Sequence, residues 1–208
     1  FKRTGTTWTQ QATLTASDAA EADHFGGSVS IDGDYAIVGA VGDDSTGSAY
    51  VFSRSGTTWT QQAKLTASDG AADDAFGYSV SINGDRAIVG AYVDDDSGSG
   101  SGSAYIFFRS DTTWTQQDKL TASDAAAGDR FGNAVSISGD YAVVGAYNDE
   151  VAGSAYIFFR TGTTWTQQAK LTAADATEGD QFGYSVSISG DYAIVGAELD
   201  DDNGVDSG

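Results

Sequence analysis

The sequence predicts an all-β protein, a β-propeller-type repeat array of four-stranded antiparallel blades, on three observations. Phe-Gly recurs at Phe25, Phe76, Phe131 and Phe182, at spacings of 51, 55 and 51 residues, each time about a dozen residues ahead of Val-Gly-Ala. A Thr-Thr-Trp-Thr-Gln-Gln stretch carries Trp8, Trp59, Trp114 and Trp165 at the same spacings. Within each unit, four short apolar runs alternate with Gly-, Asp- and Ser-rich turns. A period of this length marks one supersecondary unit stacked on its own copies, and four antiparallel strands per unit make a propeller blade.

The second unit justifies each strand in order. Phe76 to Ile82 alternates around Val80 and Ile82, the period of a half-buried strand. Asn83-Gly84 is a two-residue hairpin signal, because both residues tolerate positive φ. Arg86 to Ala91 returns as a more apolar strand suited to the middle of a sheet. Tyr92 to Gly102 is a polar loop, and Ser103 to Arg109 is a third strand of aromatic and β-branched residues. A Ser-Asp-Thr-Thr turn leads into the fourth, Trp114 to Leu120. Residues 121–130 carry the chain to the next Phe-Gly. No segment holds the i, i+3, i+4 apolar stripe of a helix, and a parallel β-solenoid, whose rungs are shorter, ranks second.

Composition narrows the function classes. Forty per cent hydrophobic residues suffices for a core, and no apolar run approaches the ~20 residues that span a bilayer. The 27 Gly with no Pro point to tight turns. Cys is absent, which excludes disulfides, thiolate metal sites and a Cys nucleophile. Thirty acids against ten bases give a net charge of -20 and a pI near 4.1. That field repels phosphate backbones and anionic lipids, so no nucleic acid and no direct membrane insertion are expected. With Phe1 first and no Met, the chain reads as a mature or interior piece of a longer secreted protein.

The paired Phe-Gly and Val-Gly-Ala motifs, recurring four times along the whole chain, resemble the FG-GAP repeats of bacterial extracellular proteins, relatives of the integrin α-subunit propeller. The resemblance implies a β-propeller, an extracellular or cell-surface location, and a role in adhesion or scaffolding. It implies no particular ligand. On this basis residues 1–208 form one repeat domain: a partial blade at 1–24, full blades at 25–75, 76–130 and 131–181, and a partial blade at 182–208. Phe1 aligns with Phe52, Phe107 and Phe158, and Gly208 with Gly102. The segment therefore reads as part of a longer array. It belongs to a larger propeller, closes as a four-bladed ring, or completes split blades between modules as a head-to-tail filament. An isolated four-bladed monomer is not expected.

In an up-and-down blade the inter-blade loop and the second–third loop share one face. Those loops hold most of the 30 acids, so one face is expected to be strongly acidic. Clustered carboxylates are raw material for Ca²⁺, which takes 6–8 oxygen ligands. The candidates are Asp43, Asp44, Asp69, Asp74, Asp94, Asp95, Asp96, Asp149, Asp200, Asp201 and Asp202. Integrin-like repeats carry their Asp-x-Asp-x-Asp-Gly calcium loop between the Phe-Gly and Val-Gly-Ala strands. Here only Asp32-Gly-Asp, Asn83-Gly-Asp, Ser138-Gly-Asp and Ser189-Gly-Asp stand there, so that site does not carry over. The competing reading, a solvated acidic rim, is slightly favoured, since no single loop shows a complete ligand pattern. The hairpin face carries Asp32, Asp34, Asp85, Asp140 and Asp191, offset by Arg3, Arg54, Arg109 and Arg160.

The four Trp residues are expected between blades, where each buries about 150–250 Å²; stacking on sugars is the less common use. The Phe-Gly and Val-Gly-Ala glycines are expected to permit close backbone approach. His24, the single His, has no partner of suitable identity or spacing for catalysis or zinc. Paired carboxylates sit in repeated loops with nothing to raise one pKa selectively. The expected function is a non-catalytic extracellular structural or adhesion module. Its partners are neighbouring repeats or copies of itself, and surface glycans or matrix proteins. The alternative is a multivalent glycan-binding propeller.

Overall fold

A computed structural model describes residues 1–201 with Gly204 and Gly208. Among the described residues sixteen strands form five antiparallel sheets. β1 (Lys2–Thr4) and β2 (Thr7–Thr9) pair alone. Three four-stranded sheets follow. The first is β3 (Phe25–Asp32), β4 (Tyr35–Ala40), β5 (Ser48–Ser55) and β6 (Thr58–Leu65). The second is β7 (Phe76–Asn83), β8 (Arg86–Ala91), β9 (Ser103–Ser110) and β10 (Thr113–Leu120). The third is β11 (Val135–Ser138), β12 (Tyr141–Ala146), β13 (Ser154–Thr161) and β14 (Thr164–Leu171). β15 (Phe182–Ser189) and β16 (Tyr192–Ala197) pair alone. Each four-stranded sheet meanders in sequence order, the up-and-down connectivity of a propeller blade.

The hairpin between first and second strands lies one residue later than Asn83-Gly84. Asn83 pairs with Arg86, so the loop is Gly84-Asp85, and only Gly84 takes positive φ there. Gly at the first central position suits a primed turn. Asp85 follows it because its carbonyl accepts the Arg109 N–H (2.8 Å) and its carboxylate holds the Arg109 side chain. Asp34 with Arg54 and Asp140 with Arg160 repeat the arrangement.

The core lies between blades. Ile37, Ala49, Val51 and Leu65 of the first sheet pack with Phe76, Val80, Ile82 and Tyr105 of the second. Ile88, Ile106 and Leu120 of the second pack with Phe131, Val135, Ile137, Ala142 and Trp165 of the third. Phe76 meets Tyr105 and Phe107 edge to face, as Phe131 meets Tyr156 and Phe158. Those are the geometries aromatic quadrupoles favour.

The first strand of each blade has an unpaired inner edge, which serine side chains satisfy. Val80 N–H donates to Ser28 Oγ (3.0 Å), Ile137 N–H to Ser81 Oγ (3.2 Å) and Ile188 N–H to Ser136 Oγ (3.2 Å). Buried backbone donors must find acceptors, so these first-strand serines join one blade to the next.

The Gln-Gln of each fourth strand divides two tasks. Gln61, Gln116 and Gln167 accept the N–H of Ser17, Ser68 and Ser123 in the inter-blade loops, each at 2.9 Å. The second Gln sits in a β-bulge: the register skips Gln62, Gln117 and Gln168. A bulge re-aims its side chain. Accordingly Gln62 accepts Trp114 Nε1–H (2.9 Å) and Gln117 accepts Trp165 Nε1–H (3.4 Å) from the following blade. The expected packing role holds for Trp59, Trp114 and Trp165, whereas Trp8 is 63% exposed.

Candidate functional site

The acidic face is built from two loops per blade, tied backbone to backbone. The Gly42, Val93, Asn148 and Leu199 amides, after the second strands, donate to the Asp23, Asp74, Asp129 and Asp180 carbonyls of the inter-blade loops (3.0–3.3 Å). Those four aspartates are buried, and each carboxylate accepts an amide N–H three residues earlier at 2.6 Å, from Ala20, Ala71, Ala126 and Thr177. Asp74 therefore serves its own loop. Burial pushes the carboxyls of Asp74 and Asp129 above the ordinary range, which corrects the expectation that nothing would raise one carboxyl selectively.

The other carboxylates converge on lysines. Lys64 Nζ lies 2.9 Å from Asp18, 2.6 Å from Asp43 and 2.8 Å from Asp44. Lys119 Nζ lies 2.8 Å from Asp69, 3.1 Å from Asp94 and 2.5 Å from Asp96. Lys170 Nζ lies 2.7 Å from Asp124, 2.7 Å from Asp149 and 2.9 Å from Glu150. A buried tyrosine completes each cluster: Tyr50, Tyr105 and Tyr156 donate to Asp43, Asp94 and Asp149 at 3.1, 2.9 and 2.9 Å. Tyr and Lys face each other across the third and fourth strands, as Tyr105 does Lys119.

The electrostatics follow from that packing. Burial is the largest single influence on the Asp43, Asp69 and Asp124 carboxyls and acts to raise them, but the hydrogen bonds from lysine and tyrosine and the lysine charge together outweigh it and hold them below the ordinary value of 3.8. Burial likewise acts to lower the lysines, and their aspartate partners reverse it, so all three are raised. Burial raises Tyr105 and Tyr156 most of all. Each cluster is a net-acidic knot of three carboxylates around one central ammonium. Asp124, Asp149 and Glu150 come close enough to ligate one metal ion, and Lys170 lies among them.

The remaining candidates are placed separately. Asp95 is exposed and accepts the Gly100 N–H at 2.6 Å. Asp200 lies half-buried after β16 with Asp201 exposed beside it, and Asp202 lies outside the described residues.

The two glycine motifs meet across blades. A Cβ on Gly39, Gly90 or Gly145 would overlap the carbonyl oxygen of Gly77, Gly132 or Gly183 in the next blade. So the Val-Gly-Ala of one blade and the Phe-Gly of the next record one contact. The profile of the FG-GAP repeat matches residues 8–52, 59–107, 114–158 and 165–208. The chain belongs to the FG-GAP repeat family. The FG-GAP matches over 59–107 and 114–158 each begin in the fourth strand of one sheet and end in the third strand of the next, so consecutive repeats interlock. No curated protein matches the chain. Among the described residues, no helix is long and apolar enough to cross a membrane.

Sequence reasoning missed Lys64, Lys119, Lys170 and their tyrosines. The available signal was Lys-Leu-Thr, recurring in step with Ser-Ala-Tyr in three units of a chain with only ten bases.

Proposed function

We propose that this FG-GAP chain is a non-catalytic structural and adhesive module of an extracellular or cell-surface protein, one repeat domain within a longer array. One observation carries the reading: the same Lys–Tyr–carboxylate knot recurs in three blades, each ammonium between 2.5 and 3.1 Å from three carboxylates. Acid–base catalysis needs two groups whose environments push their pKa values apart at one reacting centre. A motif repeated blade after blade fits a scaffold instead. The charge of -20 supports a role among soluble, exposed partners and opposes nucleic acid.

The proposed partners are neighbouring repeats or copies of the same chain, joined head to tail, with matrix proteins or surface glycans as adhesive targets. Any Ca²⁺ taken up by the array is proposed for the acidic rim, where Asp124, Asp149 and Glu150 lie close enough to share an ion and Lys170 would compete for them. Antibody labelling of intact, unpermeabilised cells tests the location. Surface labelling supports the reading; signal only after permeabilisation, or turnover of any glycan by the purified chain, contradicts it.

A second reading, glycan binding, draws on one pocket rather than on the tryptophans. Tyr78, Tyr92, Tyr147 and Tyr184 line it with Asn133, Gln181 and Glu198. Aromatic faces beside amide and carboxylate groups suit sugar rings. Glycan-array binding lost in Tyr184→Ala, with the fold intact, supports this reading; retained binding removes it.

A further inference from the structure

Each complete sheet is joined at its middle by one repeated contact between second and third strands. Tyr35 faces Ser53 and Ala36 faces Phe52. Arg86 faces Phe108 and Ala87 faces Phe107, and Tyr141 faces Phe159 and Ala142 faces Phe158. Next to each contact an arginine amide donates to an aspartate carbonyl at 2.8–2.9 Å, and the two side chains pair. β16, preceded by Asp191, has the second-strand sequence, and β1, with Arg3, has the third-strand sequence. Among the described residues β16 pairs only with β15 and β1 only with β2, as separate sheets. Among the described residues Asp191 and Arg3 form no ion pair.

The apolar surfaces beside these edges match in the same way. Ile37 packs with Val80 and Ile82, and Ile88 with Val135 and Ile137, all buried. Their counterparts are open: Ile194 is 72% exposed, Val29 68% and Ile31 66%. Trp165 fills a socket made by Gln117, Leu120, Ile137 and Ala142. The equivalent residues one blade on, Gln168, Leu171, Ile188 and Ala193, line an open groove of about 310 Å³. Gln168 is the bulged glutamine of that blade, and Trp8 is the tryptophan left exposed.

We propose that β16 of one copy docks on β1 of a second copy of this chain, completing a four-stranded blade from two halves. In the register of the three complete sheets, Tyr192 faces the partner's Lys2 and Ala193 faces the partner's Phe1. The partner's Arg3 pairs with Asp191. The partner's Trp8 enters the groove and donates to Gln168, and Ile194 covers the partner's Val29 and Ile31. The three complete sheets supply the precedent for the strand register and the Asp–Arg pair, and two blade junctions supply it for the isoleucine contact. Unpaired strand edges are where chains join, and a heterologous, head-to-tail contact that does not close builds a filament. Charge favours it too, since basic Lys2 and Arg3 meet the edge that carries Asp191. The inference rests on the reading of the chain as a structural module and names that module's partner.

Cross-linking tests it, because the natural chain has no Cys. Directly opposed strand residues lie within the Cα separation that a disulfide bridges. Lys2→Cys and Tyr192→Cys chains, mixed and oxidised, are expected to give a covalent dimer containing one of each, and the double variant a ladder of multimers. Adding Trp8→Ala is expected to cut the yield about tenfold without changing the circular dichroism of the chain. No mixed dimer, a double variant that links only within itself, or a yield unmoved by Trp8→Ala overturns the proposal. Intracellular location or catalytic turnover would defeat the functional reading and leave the cross-link unchanged.

Discussion

Gly39 of β4 and Gly77 of β7 approach so closely that a methyl group on Gly39 would overlap the Gly77 carbonyl oxygen. Gly90 with Gly132 and Gly145 with Gly183 repeat the contact. Overpacking a close-packed seam costs about 1–3 kcal/mol, and Gly90→Ala is expected near the upper end, since Ser79 Oγ crowds the same space. Gly139, at φ +60 in a hairpin, has nothing within 4 Å of the position a Cβ would take. Gly139→Ala is expected to cost only about 1 kcal/mol of backbone strain. Urea unfolding of the two variants separates the effects; equal costs would contradict a steric role for the inter-blade glycines.

The lysine knots are expected to matter through burial. The Asp94 side chain is 4% exposed, whereas Asp34, the partner of Arg54, is 59% exposed. Removing one member of a buried ion pair costs about 3–5 kcal/mol, and breaking an exposed pair at most about 1 kcal/mol. Lys119→Met is therefore expected to lower the unfolding free energy several times more than Arg54→Met. Similar losses would show that the knot is only a surface feature.

The acid limb of stability has a worked sign. Asp43, Asp69 and Asp124 are depressed in the fold, so their contribution is present above the unfolded value of 3.8 and lost as pH falls through their folded values. Asp74 and Asp129 are raised, so they add stability as pH falls through their folded values towards 3.8. Thermal unfolding from neutral pH to about pH 2 is expected to hold or rise slightly in mild acid, then fall steeply below about pH 4. A steady decline beginning near neutrality would contradict these assignments.

Trp165 and Trp8 share a sequence position and differ in surroundings. Trp165→Ala empties a buried socket and is expected to cost about 3–5 kcal/mol. Trp8→Ala, at an exposed site, is expected to leave the unfolding of the dilute chain within about 0.5 kcal/mol of the parent. Calorimetry at low concentration checks both, and equal destabilisation would refute the assigned contacts.

The sequence carried the strands legibly because Phe-Gly, Val-Gly-Ala and Trp-Thr-Gln-Gln each answer a local or next-blade demand repeated in register. The acidic face was legible for the same reason, since loop positions follow from strand order. The lysine knots were not. Their carboxylates come from two different loops and their lysine from a fourth strand, and only the blade brings them together. The residue before each Phe-Gly was equally silent: His24, Ala75, Arg130 and Gln181 all take positive φ, yet share no side-chain chemistry. The hairpin was misplaced by one residue because Asn83 satisfies turn preference, while the Asp85–Arg109 pair fixes the actual turn.

Light scattering of the purified 208-residue chain across a wide concentration range, with electron microscopy of the same samples, tests most directly whether split blades join copies into an array. The expected result is a mass that rises with concentration and particles that lengthen along one axis. A monodisperse 21.4 kDa particle at every concentration would contradict it.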